Sequence, residues 1–227
     1  MSEDETRREP VRSLADLVVP RRPAGVPYDQ GEDVDAGALL AANGYTEETD
    51  ELIALLDSPL AVFQSAAARI LGARRERSAI DALQRLANDT RAEEVPRVQA
   101  AFALARMDVA GARDLLIALL ALSVEASPAP LQAAGALAIL GDPRGFATVR
   151  LALDSPNRVT AMVACKQLYA FAAHDGLSLP DGHRVDVFGA FRCALRRPEP
   201  AIAGEARAQL VALGTPQAQE VLHEEIP

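Results

Sequence analysis

Apolar residues recur three and four positions apart along most of the chain, which is the spacing of one face of an α-helix. The clearest stretch is 97–154, which reads RVQAAFALARMDVAGARDLLIALL and, after a short break, PLQAAGALAILGDPRGFATVRLALD. Each half contains an Ala-rich helix, a short break and a Leu-rich helix. The same order recurs on both sides of this stretch, so the sequence predicts an all-α array of repeated helical hairpins.

Two core positions fix the register of the first helix in each hairpin, because residues four apart lie on one helix face. The small position is filled by Ala67, Ala100, Ala133, Ala161 and Ala206. The large apolar position is filled by Leu71, Leu104, Leu137, Cys165 and Leu210. Successive small positions lie 33, 33, 28 and 45 residues apart, so one repeat is irregular. The second helices are predicted at roughly 77–88, 109–123, 143–154, 184–197 and 216–225.

Residues 35–57 read as an incomplete leading pair, because 56–59 and 153–156 share the ending Leu-Asp-Ser-Pro. Asp and Ser can cap the helix that follows, and Pro is tolerated in its first turn. The sequence therefore predicts five full helix pairs and this half-formed one, in a single repeat domain over 35–227.

Residues 1–34 are polar and are interrupted by four prolines, which is typical of a mobile arm. One apolar island, VRSLADLVV at 11–19, breaks this pattern. Two interpretations stay open: Leu14, Leu17 and Val18 dock on the array as a partial cap, or the island is a partner-binding peptide.

Composition narrows the function classes. The formal net charge is −9 and the chain has a single lysine. This composition does not favour binding to nucleic acid, since a groove that binds the phosphate backbone needs clustered Lys and Arg. The longest apolar run, 115–122, is far shorter than the ~20 residues of a membrane helix. Two cysteines in a chain of this length do not form a disulfide framework. We therefore expect a cytoplasmic location, and we expect neither contact with a membrane nor a bound cofactor.

The repeat resembles the HEAT-repeat family, in particular its short phycobilisome-lyase-like branch. The residues that carry the resemblance are RVQAAFAL (97–104), PLQAAGALAILGDPRG (130–145) and RVTAMVAC (158–165). The family's Arg near the start of the first helix is present at Arg97 and Arg158, whereas Gln64, Pro130 and Ala203 replace it elsewhere. The resemblance implies a right-handed α-solenoid of about five to six helix pairs, with the second helices on its concave side.

We expect a protein or peptide partner to bind along this concave side. Aligning the second helices on Pro143, with one residue dropped in the second pair, puts one residue of each helix in a row. Together with the flanking Arg113, the candidate partner-binding residues are Gln84, Leu116, Arg150, Arg192 and His223. The competing interpretation is a solvated face with Arg–Asp pairs between repeats, which contribute little stability.

Enzymatic and metal-binding alternatives rest on weaker features. The loop 172–186 of the irregular repeat carries His174, Asp175 and His183, which are suitable ligand types for Zn or Fe but follow no strong metal motif. The resemblance also allows an accessory bilin-lyase-like subunit, although no lyase residue can be matched here. Cys165 replaces a core Leu and is expected to be a buried structural thiol. The leading hypothesis is a non-enzymatic scaffold or adaptor.

Overall fold

The computed structural model describes residues 35–174, 177–179 and 182–224. These residues form twelve α-helices and no strand, so the predicted all-α class is confirmed. The first helices of successive pairs are α1 (Ala36–Ala42), α3 (Ala61–Arg74), α5 (Glu94–Arg106), α7 (Ala129–Ile139), α9 (Arg158–Ala172) and α11 (Pro200–Leu213). The second helices are α2 (Thr49–Leu55), α4 (Ile80–Asn88), α6 (Ala112–Leu120), α8 (Phe146–Ala152), α10 (Val187–Leu195) and α12 (Pro216–Glu224). The predicted arm at 1–34 lies outside the described residues.

The helix boundaries follow the predicted hairpins closely. Single 3₁₀ turns, Arg77–Ala79 and Pro143–Gly145, precede α4 and α8 and account for the earlier starts predicted for those helices. The leading pair, predicted to be half-formed, contains two helices of seven residues each. Short helices of this kind depend on packing rather than on intrinsic propensity.

The link between the two helices of a hairpin has a recurring geometry. The carbonyl of the large core residue accepts the backbone N–H five positions later, as in Leu71 to Glu76, Leu104 to Val109 and Leu137 to Asp142. The residue before that N–H has a positive φ, and it is Arg75, Asp108 or Gly141 respectively. This is the Schellman arrangement, which satisfies the last carbonyls of a helix. The bond therefore marks equivalent positions in different repeats.

The chain divides into two compact units, and the boundary falls within α6. Among the described residues, unit 1 comprises 35–115. In it α3 packs against α1, α2 and α5, and α5 packs against α4. Phe63 is fully buried and meets the ring of Tyr45 edge-on at 5.0 Å between centroids. The methyl group of Ala103 lies so close to Gly72 that no side chain fits between α3 and α5 there.

Unit 2 comprises the described residues from 116 to 224. Its first helices contact one another in order, α7 with α9 and α9 with α11, and each also contacts second helices. Phe171 and Phe191 are fully buried in its core, and Phe171 meets Phe146 edge-on at 5.4 Å. Leu177 and Val185, from the long loop after α9, pack against the same core. Among the described helices of the chain, none has the length and apolar character needed to cross a membrane.

Candidate functional site

The candidate row on the second helices can be aligned by burial and by the hairpin link. In four of the second helices, α4, α6, α8 and α10, one fully buried residue is followed by a row position. The buried residues are Leu83, Leu116, Val149 and Phe191. The row positions that follow them are Gln84, Ile117, Arg150 and Arg192. Three of the predicted row residues, Gln84, Arg150 and Arg192, therefore occupy equivalent positions.

The prediction that Leu116 lies on this row is wrong. Its side chain is 0% exposed and belongs to the core. The alignment had dropped one residue in the second pair, but the bond from Val109 N–H to the Leu104 carbonyl matches the bond from Asp142 to Leu137. No residue is dropped, so the equivalent of Arg150 is Ile117, which is half-buried. In the last pair, the spacing that leads from Leu137 to Arg150 leads from Leu210 to His223, which is exposed.

In unit 1, two candidate residues are available to solvent. Gln84 is exposed on α4, and Arg113 is exposed in the first turn of α6. The carbonyl of Gln84 accepts a hydrogen bond from the Asn88 side chain at 2.8 Å, and its own side chain points outward beside the exposed Arg85.

In unit 2, polar contacts join the exposed sides of α8, α10 and α12. Arg150 donates to Asp154 on its own helix at 2.9 Å, and its other terminal nitrogen donates to the Cys193 sulfur on α10 at 3.7 Å. Arg192 on α10 makes a two-pronged ion pair with Glu224 on α12, at 2.8 and 3.2 Å. We call Arg150, Leu151, Arg192, Cys193 and Glu224 the second-helix face of unit 2.

The electrostatics of this face are those of a solvated surface. The hydrogen bond from Arg192 lowers the pKa of the Glu224 carboxyl, and the same bond raises the pKa of the Arg192 guanidinium. The interpretation that ion pairs between repeats line this face thus holds for Arg192, although its partner is Glu rather than Asp. Exposed pairs of this kind contribute little to stability, so a ligand carboxylate can replace the partner of an arginine on this face at little cost.

An apolar side chain stands among these charges. Leu151 on α8 is 73% exposed, the largest fraction among the exposed large apolar residues of the described chain. It follows Arg150 directly, as Cys193 follows Arg192. Sequence reasoning missed Leu151, because its exposure depends on the neighbouring helices. An exposed Leu next to an arginine suits a contact with a mixed polar and apolar surface.

The two cysteines differ in environment. Cys165 is fully buried, as predicted for a structural thiol, whereas Cys193 is exposed. Burial raises the pKa of the Cys165 thiol to about 12; the charge of Glu205 raises it further and that of Arg197 opposes the rise. Cys165 is therefore protonated near neutral pH and is a poor nucleophile.

The candidate metal loop is described only in part. Asp175 lies outside the described residues, whereas His174 and His183 are both exposed. The loop closes as a tight antiparallel turn: Leu179 N–H donates to the His183 carbonyl at 2.8 Å, and Val185 N–H to the Leu177 carbonyl at 2.9 Å. Within the described part of the chain, no group of three or more His, Cys, Asp or Glu residues is arranged to hold a metal ion.

Comparison with known proteins adds little to this geometry. No protein-family model matches the chain, and no curated protein matches it in sequence. Among solved structures, the chain is similar to an engineered protein whose crystal structure was determined in a structural genomics programme. The two share 19% sequence identity over 78% of this chain and 84% of the other, with a TM-score of 0.42. A similarity at this level carries no functional argument.

Proposed function

We propose that the chain is a right-handed α-solenoid of HEAT-type hairpins over 35–227 that serves as a non-enzymatic interaction module. The resemblance of 97–104, 130–145 and 158–165 to HEAT repeats supports this proposal. The recurring hairpin link supports it too, because turns with the same geometry lead the chain into each second helix in the same direction. A helix pair of this kind cannot bury its apolar side alone, so neighbouring pairs must stack.

The second helices bind the partner in this proposal. The observation that carries it is the second-helix face of unit 2, where two arginines, an exposed Leu and an exposed thiol lie on adjoining helices. Arginine is enriched at protein interfaces because its planar guanidinium group can donate several hydrogen bonds at once to carboxylate and carbonyl oxygens. The partner is a protein or peptide that offers carboxylates to Arg150 and Arg192 and an apolar side chain to Leu151.

In unit 1, Gln84 occupies the equivalent position on α4, and Arg113 is exposed on α6. We treat these two residues as a separate candidate contact region. The two regions are assigned separately, each from its own exposed side chains.

The test is quantitative co-purification of the intact chain from its native cell, with wild type compared with the Arg150→Glu/Arg192→Glu variant. The matched control is Arg158→Glu/Arg207→Glu, which reverses two exposed arginines on first helices. We expect the first variant to lose at least about 90% of the specific partner, since two reversed charges at an interface cost several kcal/mol. The control variant should retain the partner.

Equal recovery with both variants would reject the second-helix face as the binding surface. Loss with the control alone would move the partner to the first helices. Circular dichroism on both variants checks that each is folded before the comparison is made.

A further inference from the structure

In unit 2, each row arginine contacts the next second helix at an equivalent place. Arg150 on α8 donates to the Cys193 sulfur on α10, and Arg192 on α10 donates to the Glu224 carboxylate on α12. Cys193 directly follows the row position Arg192, and Glu224 directly follows the row position His223. The two contacts therefore repeat one arrangement. We call them the α8–α10 site, which is Arg150 with Cys193, and the α10–α12 site, which is Arg192 with Glu224.

The α10–α12 site is already filled by a carboxylate. Arg192 holds both oxygens of Glu224, at 2.8 and 3.2 Å, in the two-pronged geometry that suits a guanidinium and a carboxylate best. The hydrogen bond to Glu224 raises the pKa of the Arg192 guanidinium most, and the charges of Glu220 and Asp186 raise it further. A second carboxylate that approaches Arg192 would therefore meet three negative charges, which disfavours an acidic ligand while Glu224 is in place.

The α8–α10 site contains the same cation with a neutral residue in place of Glu224. One terminal nitrogen of Arg150 donates to Asp154, four residues along the same helix, at 2.9 Å. The other terminal nitrogen contacts only the Cys193 sulfur in this arrangement, at 3.7 Å, and sulfur is a weak acceptor. Asp154 is exposed, and an exposed pair within one helix contributes little. Arg150 therefore keeps most of its capacity to bind a further carboxylate.

We propose that the partner presents a carboxylate to Arg150 at the α8–α10 site, whereas Glu224 fills the α10–α12 site as an internal substitute for such a group. This inference rests on the proposed function, because it assigns the place where the partner's acidic group binds. Leu151, exposed directly after Arg150, gives the apolar contact beside it. A carboxylate reaches Arg192 only when it replaces Glu224, so Arg150 is the residue that selects an acidic partner.

Exchanging the character of the two sites tests this proposal in the full-length chain. Cys193→Glu places a carboxylate at the position equivalent to Glu224, and Glu224→Gln removes the carboxylate from the α10–α12 site. Cys193→Gln adds a side chain of the same length without the charge and is the matched control. Circular dichroism checks that each variant is folded.

The probe is glutarate, a small dicarboxylate, compared with sodium chloride at the same ionic strength. Phenylglyoxal modifies exposed guanidinium groups, and mass spectrometry measures its rate at Arg150 and Arg192 separately. In the wild type, we expect glutarate to slow modification of Arg150 at least about twofold and to leave Arg192 unchanged. Glu224→Gln should extend this protection to Arg192. Cys193→Glu should abolish it at Arg150, and Cys193→Gln should keep it.

Protection of both arginines alike in the wild type, or of neither, would overturn the proposal. So would a Cys193→Glu variant in which glutarate still protects Arg150, because a carboxylate at residue 193 should already occupy that guanidinium.

Co-purification from the native cell separates this inference from the proposed function. We expect Cys193→Glu to lower recovery of the specific partner at least about tenfold, through repulsion of its carboxylate, and Cys193→Gln to retain it. Loss of the partner with Arg150→Glu/Arg192→Glu but not with Cys193→Glu would reject the α8–α10 site and leave the proposed function standing. Retention of the partner by Arg150→Glu/Arg192→Glu would reject the proposed function, and the glutarate result alone would then decide whether the α8–α10 site binds a carboxylate.

Discussion

Two regions of unit 2 differ in nearly every physical respect: the packed contact between the first helices α7, α9 and α11, and the second-helix face. The contact between the first helices is closed, and Ala164 and Gln167 in it are almost fully buried. The second-helix face is open and consists of charged and apolar side chains, with Leu151 exposed and Arg192 paired to Glu224. Small residues on first helices allow close helix contact, whereas long residues on second helices extend from the surface.

This difference teaches that a residue outside the small and large core positions of a hairpin is not necessarily a surface residue. Ala136 and Leu151 both lie outside those positions, yet Ala136 is 6% exposed and Leu151 is 73% exposed. Their different burial separates a packed region from a surface available to a partner. The predictions below test that separation, beginning with the largest expected effect.

A glutamate in each of the two regions should have very different consequences for stability. Ala164→Glu places a charge on a fully buried site between the first helices, and we expect it to destabilise the fold by at least about 3 kcal/mol. Leu151→Glu replaces an exposed side chain, and we expect a change within about 0.5 kcal/mol. Urea unfolding followed by circular dichroism measures both values. Equal effects would show that the two regions do not differ in packing.

Alanine substitutions at the buried Gly145 and at the exposed Gly204 should change the stability of the fold in opposite directions. Gly145→Ala puts a methyl group against the backbone of Ala134, and we expect a loss of about 1–3 kcal/mol. Gly204→Ala, on α11, meets no atom within 4 Å and should stabilise the chain by about 0.5–1 kcal/mol through helix propensity. Thermal unfolding of the two variants provides the comparison, and a stabilising Gly145→Ala would contradict the close approach of α7 to the turn before α8.

The two cysteine thiols should be alkylated at rates that follow their exposure to solvent. Cys193 is exposed on the second-helix face and should be alkylated within minutes at pH 8. Cys165 has its pKa raised to about 12 by burial, so roughly one thiol in ten thousand is ionised at that pH. Its modification should require unfolding and should accelerate with urea. Mass spectrometry of partly alkylated protein distinguishes the sites; prompt labelling of Cys165 in the native chain would be inconsistent with this core.

The ion pair between α10 and α12 should give the smallest effect. Because Arg192 lowers the pKa of Glu224 in the folded state, the pair stabilises the chain above the unfolded value of 4.5, and this contribution is lost as the pH falls through the lower folded value. We expect Glu224→Gln to reduce Tm slightly at pH 7, and we expect this difference to shrink as the pH falls below 4.5. Gln219→Ala, on the same helix, is the control. A difference in Tm that does not shrink in acid would exclude the ion pair as its cause.

Much of the helical order could be predicted from the sequence, because each hairpin repeats its small and large core positions. The assignment of Leu116 to the surface failed for a specific reason: a one-residue choice of register reverses inside and outside, and apolar periodicity in a Leu-rich helix does not decide it. The link from Leu104 to Val109 does decide it. The exposure of Leu151, the contact between Arg150 and Cys193, and the burial of Gln167 depend on neighbouring helices and could not be read from local pattern.

The most direct test of the contrast between the packed first helices and the exposed second-helix face is the rate of thiol modification at one position of each in the full-length chain. In a Cys193→Ser background, one protein carries Ala136→Cys and another carries Leu151→Cys. We expect the thiol at 151 to react at least about a hundredfold faster than the thiol at 136 under native conditions, with equal rates in denaturant. Native rates within about twofold of each other would contradict the burial of position 136 and the exposure of position 151.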